Sequence, residues 1–142
     1  MSIQSSTDSP ALRWSGRIIS GLVVAFLLLD ASMKLVPLAP VIEAQRALGF
    51  ADTTELARGL GVLLLLCTAL YAFPATALLG AILLTGYLGG TIAIHLRAGN
   101  PLLTHMLFGG YIGVLLWGGL LARSAPLRTL VLPGIAGKER AT

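Results

Sequence analysis

The stretch from Gly59 to Leu96 contains no Asp, Glu, Lys or Arg. As one continuous α-helix it would run ~57 Å, nearly twice the ~30 Å hydrocarbon core of a bilayer. It must therefore turn back on itself. Phe73-Pro74-Ala75 sits at its centre, and Pro74 lacks the N–H that a continuing helix needs. The stretch reads as two apolar helices, Glu55–Phe73 and Thr76–Leu96, joined by a tight turn. A second uncharged run extends from Ala98 to Ala122. Gly99-Asn100-Pro101 is a turn signal at its start, so a further helix is expected at about Leu102–Leu121. Upstream, Trp14–Val36 forms the first such helix, with Pro37 and Pro40 ending it.

Composition supports lipid as the solvent. Of 142 residues, 56% are hydrophobic and 11% charged, where a soluble domain carries ~25% charged residues. One small core cannot hide that much apolar surface, which excludes a water-soluble globule and also disorder. The expected fold is an all-α, integral membrane, antiparallel four-helix bundle over residues 14–122. A polar N-terminal tail (1–13) and a basic C-terminal tail (123–142) flank it. The run Ile18–Leu29 is short enough to resemble a signal peptide, but no A-x-A site follows, so it is read as part of the first span.

The net charge of +4 reflects basic flanks rather than a nucleic-acid surface, because no basic stripe is interleaved with aromatics. Arg13, Arg17, Arg123, Arg128, Lys138 and Arg140 flank the termini. They outnumber Arg46, Arg58 and Arg97 on the other side. That bias predicts both termini in the cytoplasm of a multi-pass protein of the bacterial inner membrane. Between the first two spans, Val41, Ala44 and Leu48 share one helical face, as in a short interfacial helix. Side chains of this loop, Gln45 among them, are expected to be exposed. Asp52 and Glu55 match a capping box that opens the second span.

Polar side chains inside the spans are the candidates for function. Asp30 and Lys34 are four residues apart in the first helix, hence on one face, with the acid N-terminal to the base. They read either as an ion pair locking that helix to its neighbours or as part of a site. Tyr87, Thr91 and His95 form a polar stripe by the same spacing. His105 and Tyr111 belong to the last helix, and His95 and His105 flank the turn that holds Asn100. With both tails inside, these groups fall in the outer halves of their helices, with Tyr111 midway. The cytoplasmic halves read as nearly pure Leu, Val, Ala and Gly. An outward-facing pocket between the helices is expected there.

No zinc or haem spacing is present, so no metal is expected. Cys67 is the lone cysteine, lies in an apolar run and reads as packing. Trp14 and Trp117 read as cytoplasmic aromatic-belt residues. Gly86 with Gly90, and Gly109 with Gly113, form GxxxG pairs expected to pack the last two helices together.

The run LGAILLTGYLGGTIAIH at 79–95, followed by Arg97, Gly99-Asn100-Pro101 and His105, resembles the DoxX-like family of small bacterial membrane proteins. DASMK at 30–34, LGF at 48–50 and YIGVLLWGG at 111–119 are similar to other parts of that family. The resemblance covers about Leu12 to Arg123. It implies four-helix topology and a loose link to quinone-coupled membrane redox chemistry. It carries over no catalytic residue, and fold-level analogy is associational.

Together these readings lead to a protein that binds a small amphipathic or lipidic molecule, with a quinone as one candidate. Asp30, Lys34, Tyr87, Thr91, His95, Asn100, His105 and Tyr111 are the expected ligand-binding residues. The chain has no cysteine pair and no nucleotide fingerprint, so any electron transfer would rely on a borrowed cofactor. The other reading is a non-enzymatic subunit, assembly factor or chaperone of a larger membrane protein. A transporter fits less well, since no half-repeat or broken helix is visible.

Overall fold

A computed structural model of the chain describes residues 9–36, 38–51, 53–101 and 107–131. Among them the order is α1 (Pro10–Leu35), α2 (Ala39–Ala47), α3 (Thr54–Ala72), α4 (Ala77–Arg97), α5 (Leu107–Arg123) and α6 (Ala125–Val131). α1, α3 and α4 are each long and apolar enough to cross a membrane. α5 and α6 make a fourth such segment if the pair, bent by 114°, is counted as one. The protein is thus helical, with the composition of a membrane protein.

Local chemistry explains the boundaries. Ser9 caps α1 by accepting from the Leu12 N–H at 3.3 Å, and Pro10 occupies the first turn, where its missing N–H costs nothing. α1 stops where Val36 turns extended, as a residue preceding proline prefers. Pro40, expected only to end the first helix, instead lies in the first turn of α2. α2 and α4 both end in Schellman turns. Phe50 N–H bonds Gln45 O and Asn100 N–H bonds His95 O, with Gly49 (φ 80°) and Gly99 (φ 70°) supplying the left-handed residue. Residue 52 and residues 102–106 lie outside the described set, so the Asp52 half of the proposed capping box and the expected start at Leu102 do too. α3 begins after Thr53, whose side chain makes no capping bond.

α1 packs against α3 and α5, and α4 packs against the same two helices. The core between them includes Val23, Leu27, Ala31, Leu64, Cys67, Tyr71, Leu84 and Leu116. Cys67 is buried packing, as its apolar setting suggested.

Close approach of backbones depends on a particular set of glycines. A Cβ on Gly80 would lie 2.2 Å from the Tyr71 nitrogen, so the α3–α4 hairpin closes only without one. A Cβ on Gly16 would lie 2.6 Å from the Arg123 nitrogen, and one on Gly119 would lie 2.7 Å from Ser20 Oγ. These contacts bring the start of α1 against the end of α5. The GxxxG expectation is corrected here. Gly86, Gly90 and Gly113 face open space, and only Gly109 meets α4, with a would-be Cβ 3.1 Å from Ile92. Small-residue spacing shows where helices can approach. It does not show which side of a helix the neighbour occupies.

Two alanine substitutions separate these classes. Gly80→Ala should cost at least ~1–3 kcal/mol, since backbone rather than a flexible side chain must move. Gly86→Ala should be neutral or stabilise by up to ~1 kcal/mol through helix propensity. Melting temperatures of the two purified variants check this.

Candidate functional site

The Asp30–Lys34 pair forms as the spacing requires: Lys34 Nζ donates to the Asp30 carboxylate one turn away on α1. Lys34 is the more enclosed, with its side chain 20% exposed against 36% for Asp30. Its stem passes beside α3, where a Cβ on Gly61 would lie 3.0 Å from Lys34 Cβ. Tyr87 on α4 packs against the core and lies within Coulombic reach of Asp30. Asp30 and Lys34 thus pair on α1, and Tyr87 faces the core from α4.

His95 and Asn100 pair at the end of α4. Asn100 Nδ2 donates to His95 Nδ1 at 2.7 Å, leaving the neutral ring's proton on Nε2. The Schellman turn sets this contact, because it places Asn100 five residues on and back over His95. Thr91 spends its hydroxyl on Tyr87 O at 3.1 Å, within its own helix. Tyr111 does not join the group. It stands 53% exposed on the surface of α5. His105 lies outside the described residues.

α2 closes this end of the molecule. It follows α1, packs on α3, and its terminal carbonyl at Leu48 accepts from Arg97 Nη2 of α4 at 3.4 Å. Gln45, on the buried side of α2, is only 6% exposed, and neither its Oε1 nor its Nε2 has a hydrogen-bond partner. This corrects the expectation that Gln45 is an exposed loop residue. A buried carboxamide with both ends unpaired is costly and unusual in a native structure. The sequence does carry a signal: Gln45 falls next to Val41 and Leu48 on the apolar face of α2.

The opposite end qualifies a second expectation, that the helix halves nearest the termini are nearly pure Leu, Val, Ala and Gly. Tyr71, fully buried, donates its hydroxyl to Leu116 O at 2.8 Å and lies 3.0 Å from Ser20 Oγ. Since the phenolic proton goes to Leu116, Ser20 donates to Tyr71. Arg123 sits over the Tyr71 ring, 4.8 Å from its centroid, and donates to Tyr71 O at 2.8 Å. The neighbouring carbonyl, Leu70 O, accepts from Thr76 Oγ1 at 2.7 Å. The terminal carbonyls of α3 are therefore capped by side chains. Trp117 also turns inward: its Nε1 donates to Thr85 Oγ1 at 2.9 Å rather than to a headgroup. Trp14 is 62% exposed, with Arg17 6.0 Å from its ring.

The family model described as the DoxX-like family matches residues 18–119, well over half of the chain. The chain belongs to the DoxX-like family. No curated protein and no solved structure matches it. In this DoxX-like protein the matched region takes in the Asp30–Lys34 pair, α2, the His95–Asn100 turn, and Ser20, Tyr71 and Leu116, with Arg123 just beyond it. α6 lies beyond it.

The ion pair gives a direct test. Asp30→Asn strands a lysine and Lys34→Met strands a carboxylate, each expected to lose ~2–3 kcal/mol on the scale for a lone charge in a bilayer. The double variant should recover most of that loss, because no charge is left to solvate. Folded yield and unfolding midpoints of the three variants read this out. Additive losses in the double variant would mean the two side chains do not act as a pair.

Proposed function

We propose that this DoxX-like protein binds a small amphipathic molecule between its helices, with the polar head beneath α2. In this reading α1, α3, α4 and α5 all span the membrane as an antiparallel four-helix bundle. Both termini are cytoplasmic, the membrane is the bacterial inner membrane, and the polar end faces outward. The observation that carries the reading is Gln45. Its carboxamide is enclosed at the end of the molecule that also holds Asp30, Lys34, Tyr87, His95 and Asn100, and both its polar atoms are unpaired. The other fully buried polar side chains among the described residues, Ser20, Thr68 and Tyr71, are hydrogen-bonded. A ligand that accepts from Nε2 or donates to Oε1 would remove the penalty.

A quinone belongs to the ligand class that fits. Its carbonyl oxygens accept hydrogen bonds, and Gln45 Nε2, the Lys34 ammonium and the Tyr87 hydroxyl are donors at this end. When bound, it would supply the redox chemistry that the chain's own residues lack. The side chains would hold and orient its head.

One observation favours a second reading, a subunit or assembly role with a membrane protein partner. Gly86, Gly89 and Gly90 leave an open, small-residue face on α4 that another helix could approach closely.

The protein purified in mild detergent separates the two readings. Under ligand binding, Tyr87→Phe and His95→Gln should each lower occupancy of a co-purifying lipidic molecule by ~1–3 kcal/mol, read by mass spectrometry. Gln45→Leu should abolish occupancy while raising the melting temperature of the stripped protein, since an unpaired amide gives way to an apolar side chain of similar size. Unchanged occupancy together with a lower melting temperature would make the subunit reading the better one. Orientation has its own test. Glu43→Cys on α2 should react with a membrane-impermeant thiol reagent in intact cells. Thr129→Cys on α6 should react only after permeabilisation, with native Cys67 buried and silent.

A further inference from the structure

A cavity of about 480 Å³ opens at the other end of the molecule, in the corner between the start of α1, the α3–α4 turn and the α5–α6 bend. Arg17 and Arg123 line it together with Leu78, Leu120, Leu127 and Leu130. Among the described residues, no acidic side chain lines it. We infer that this cavity binds one anionic phospholipid, its phosphate between Arg17 and Arg123 and its acyl chains along the leucines.

Charge is the first argument. Two guanidiniums share one cavity, and among the described residues neither is paired with a carboxylate. Arg123 is held in place by its bond to Tyr71 O and by the Tyr71 ring, so one half of the anion site is pre-organised. Arg17 is exposed and reaches the cavity from α1. Guanidinium forks match phosphate oxygens, and the Ser124 hydroxyl lines the same space.

The apolar walls decide between a lipid and a free phosphate ion. The cavity is lined mainly by aliphatic side chains, which a free phosphate would leave unused. α6 turns 114° away from α5, burying Leu127 while Leu130 stays 73% exposed. A short helix crossing the end of a spanning helix, with exposed leucine, suits the headgroup–acyl boundary. Exposed Trp14 marks the same level. A phosphate held there by two arginines has its chains beside the bundle, where Leu78 and Leu120 lie.

The test uses the full-length protein in detergent, titrated with phosphatidylglycerol or phosphatidylcholine and followed by native mass spectrometry and melting temperature. Phosphatidylglycerol should form a one-to-one adduct and raise the melting temperature, and phosphatidylcholine should do neither. Arg17→Gln should weaken the adduct roughly five-fold, the contribution of one basic residue near an anionic lipid. Its melting temperature without lipid should match the parent, since Arg17 is exposed and only stacks near Trp14. Arg13→Gln, at the same end but outside the cavity, should leave the adduct unchanged. Equal binding of the two lipids, or no effect of Arg17→Gln, would overturn the proposal. So would an equal loss in Arg13→Gln, which would mean diffuse surface charge. Displacement of phosphatidylglycerol by millimolar inorganic phosphate would assign the site to a free ion and overturn the lipid.

Discussion

Tyr71 ties three helices together with one side chain. Its hydroxyl donates to a carbonyl of α5 and accepts from Ser20 on α1, while its own backbone carbonyl, near the end of α3, accepts from Arg123. Tyr71 and Ser20 are buried, so there is no water to satisfy these groups. The bonds therefore define the register among α1, α3 and α5 more narrowly than apolar contact can, because aliphatic packing alone tolerates sliding by a turn. The aromatic ring beneath Arg123 places a cation at the end of α3, where the helix dipole favours it.

The glycines that matter follow from this cluster. Gly119 leaves room for Ser20 Oγ, Gly80 lets α4 start against the backbone of Tyr71, and Gly16 admits the backbone at Arg123. Each is needed because a hydrogen bond or a turn has drawn two backbones closer than a side chain allows. Gly86, Gly89 and Gly90 have no such neighbour among the described residues. Their face of α4 is available to lipid or to another protein.

The two ends of the molecule thus differ in kind. Around Tyr71 the buried polar groups satisfy one another, and the cavity beside them presents surplus positive charge. Under α2 an ion pair, a tyrosine and a histidine–asparagine pair sit at the same end as a carboxamide with no partner. An unpaired buried amide costs stability in the isolated protein. A ligand that pairs with it turns that cost into selectivity. Lys34 and Asp30 neutralise each other on one helix face, so the two charges can stay half-buried among apolar side chains.

The sequence alone determined the long apolar helices and their order, but not α6, which lies within the stretch read as a basic C-terminal tail. An uncharged run too long for one span, a central Pro74 and the Gly99-Asn100-Pro101 turn leave few alternatives, since lipid demands backbone bonds satisfied within each segment. Spacing of four was also enough to pair Asp30 with Lys34, because both partners lie on one helix. The chemistry between helices was not legible. Whether Tyr111 faces in or out, which glycines meet a neighbour, and that Ser20, Tyr71 and Arg123 converge all depend on how each helix is rotated about its axis. Spans apolar on every side, such as α4, carry no strong periodic signal for that rotation. Gln45 was legible only in part: its place beside Val41 and Leu48 marks the apolar face of α2, but the packing of α2 against α3 decided that this face is buried.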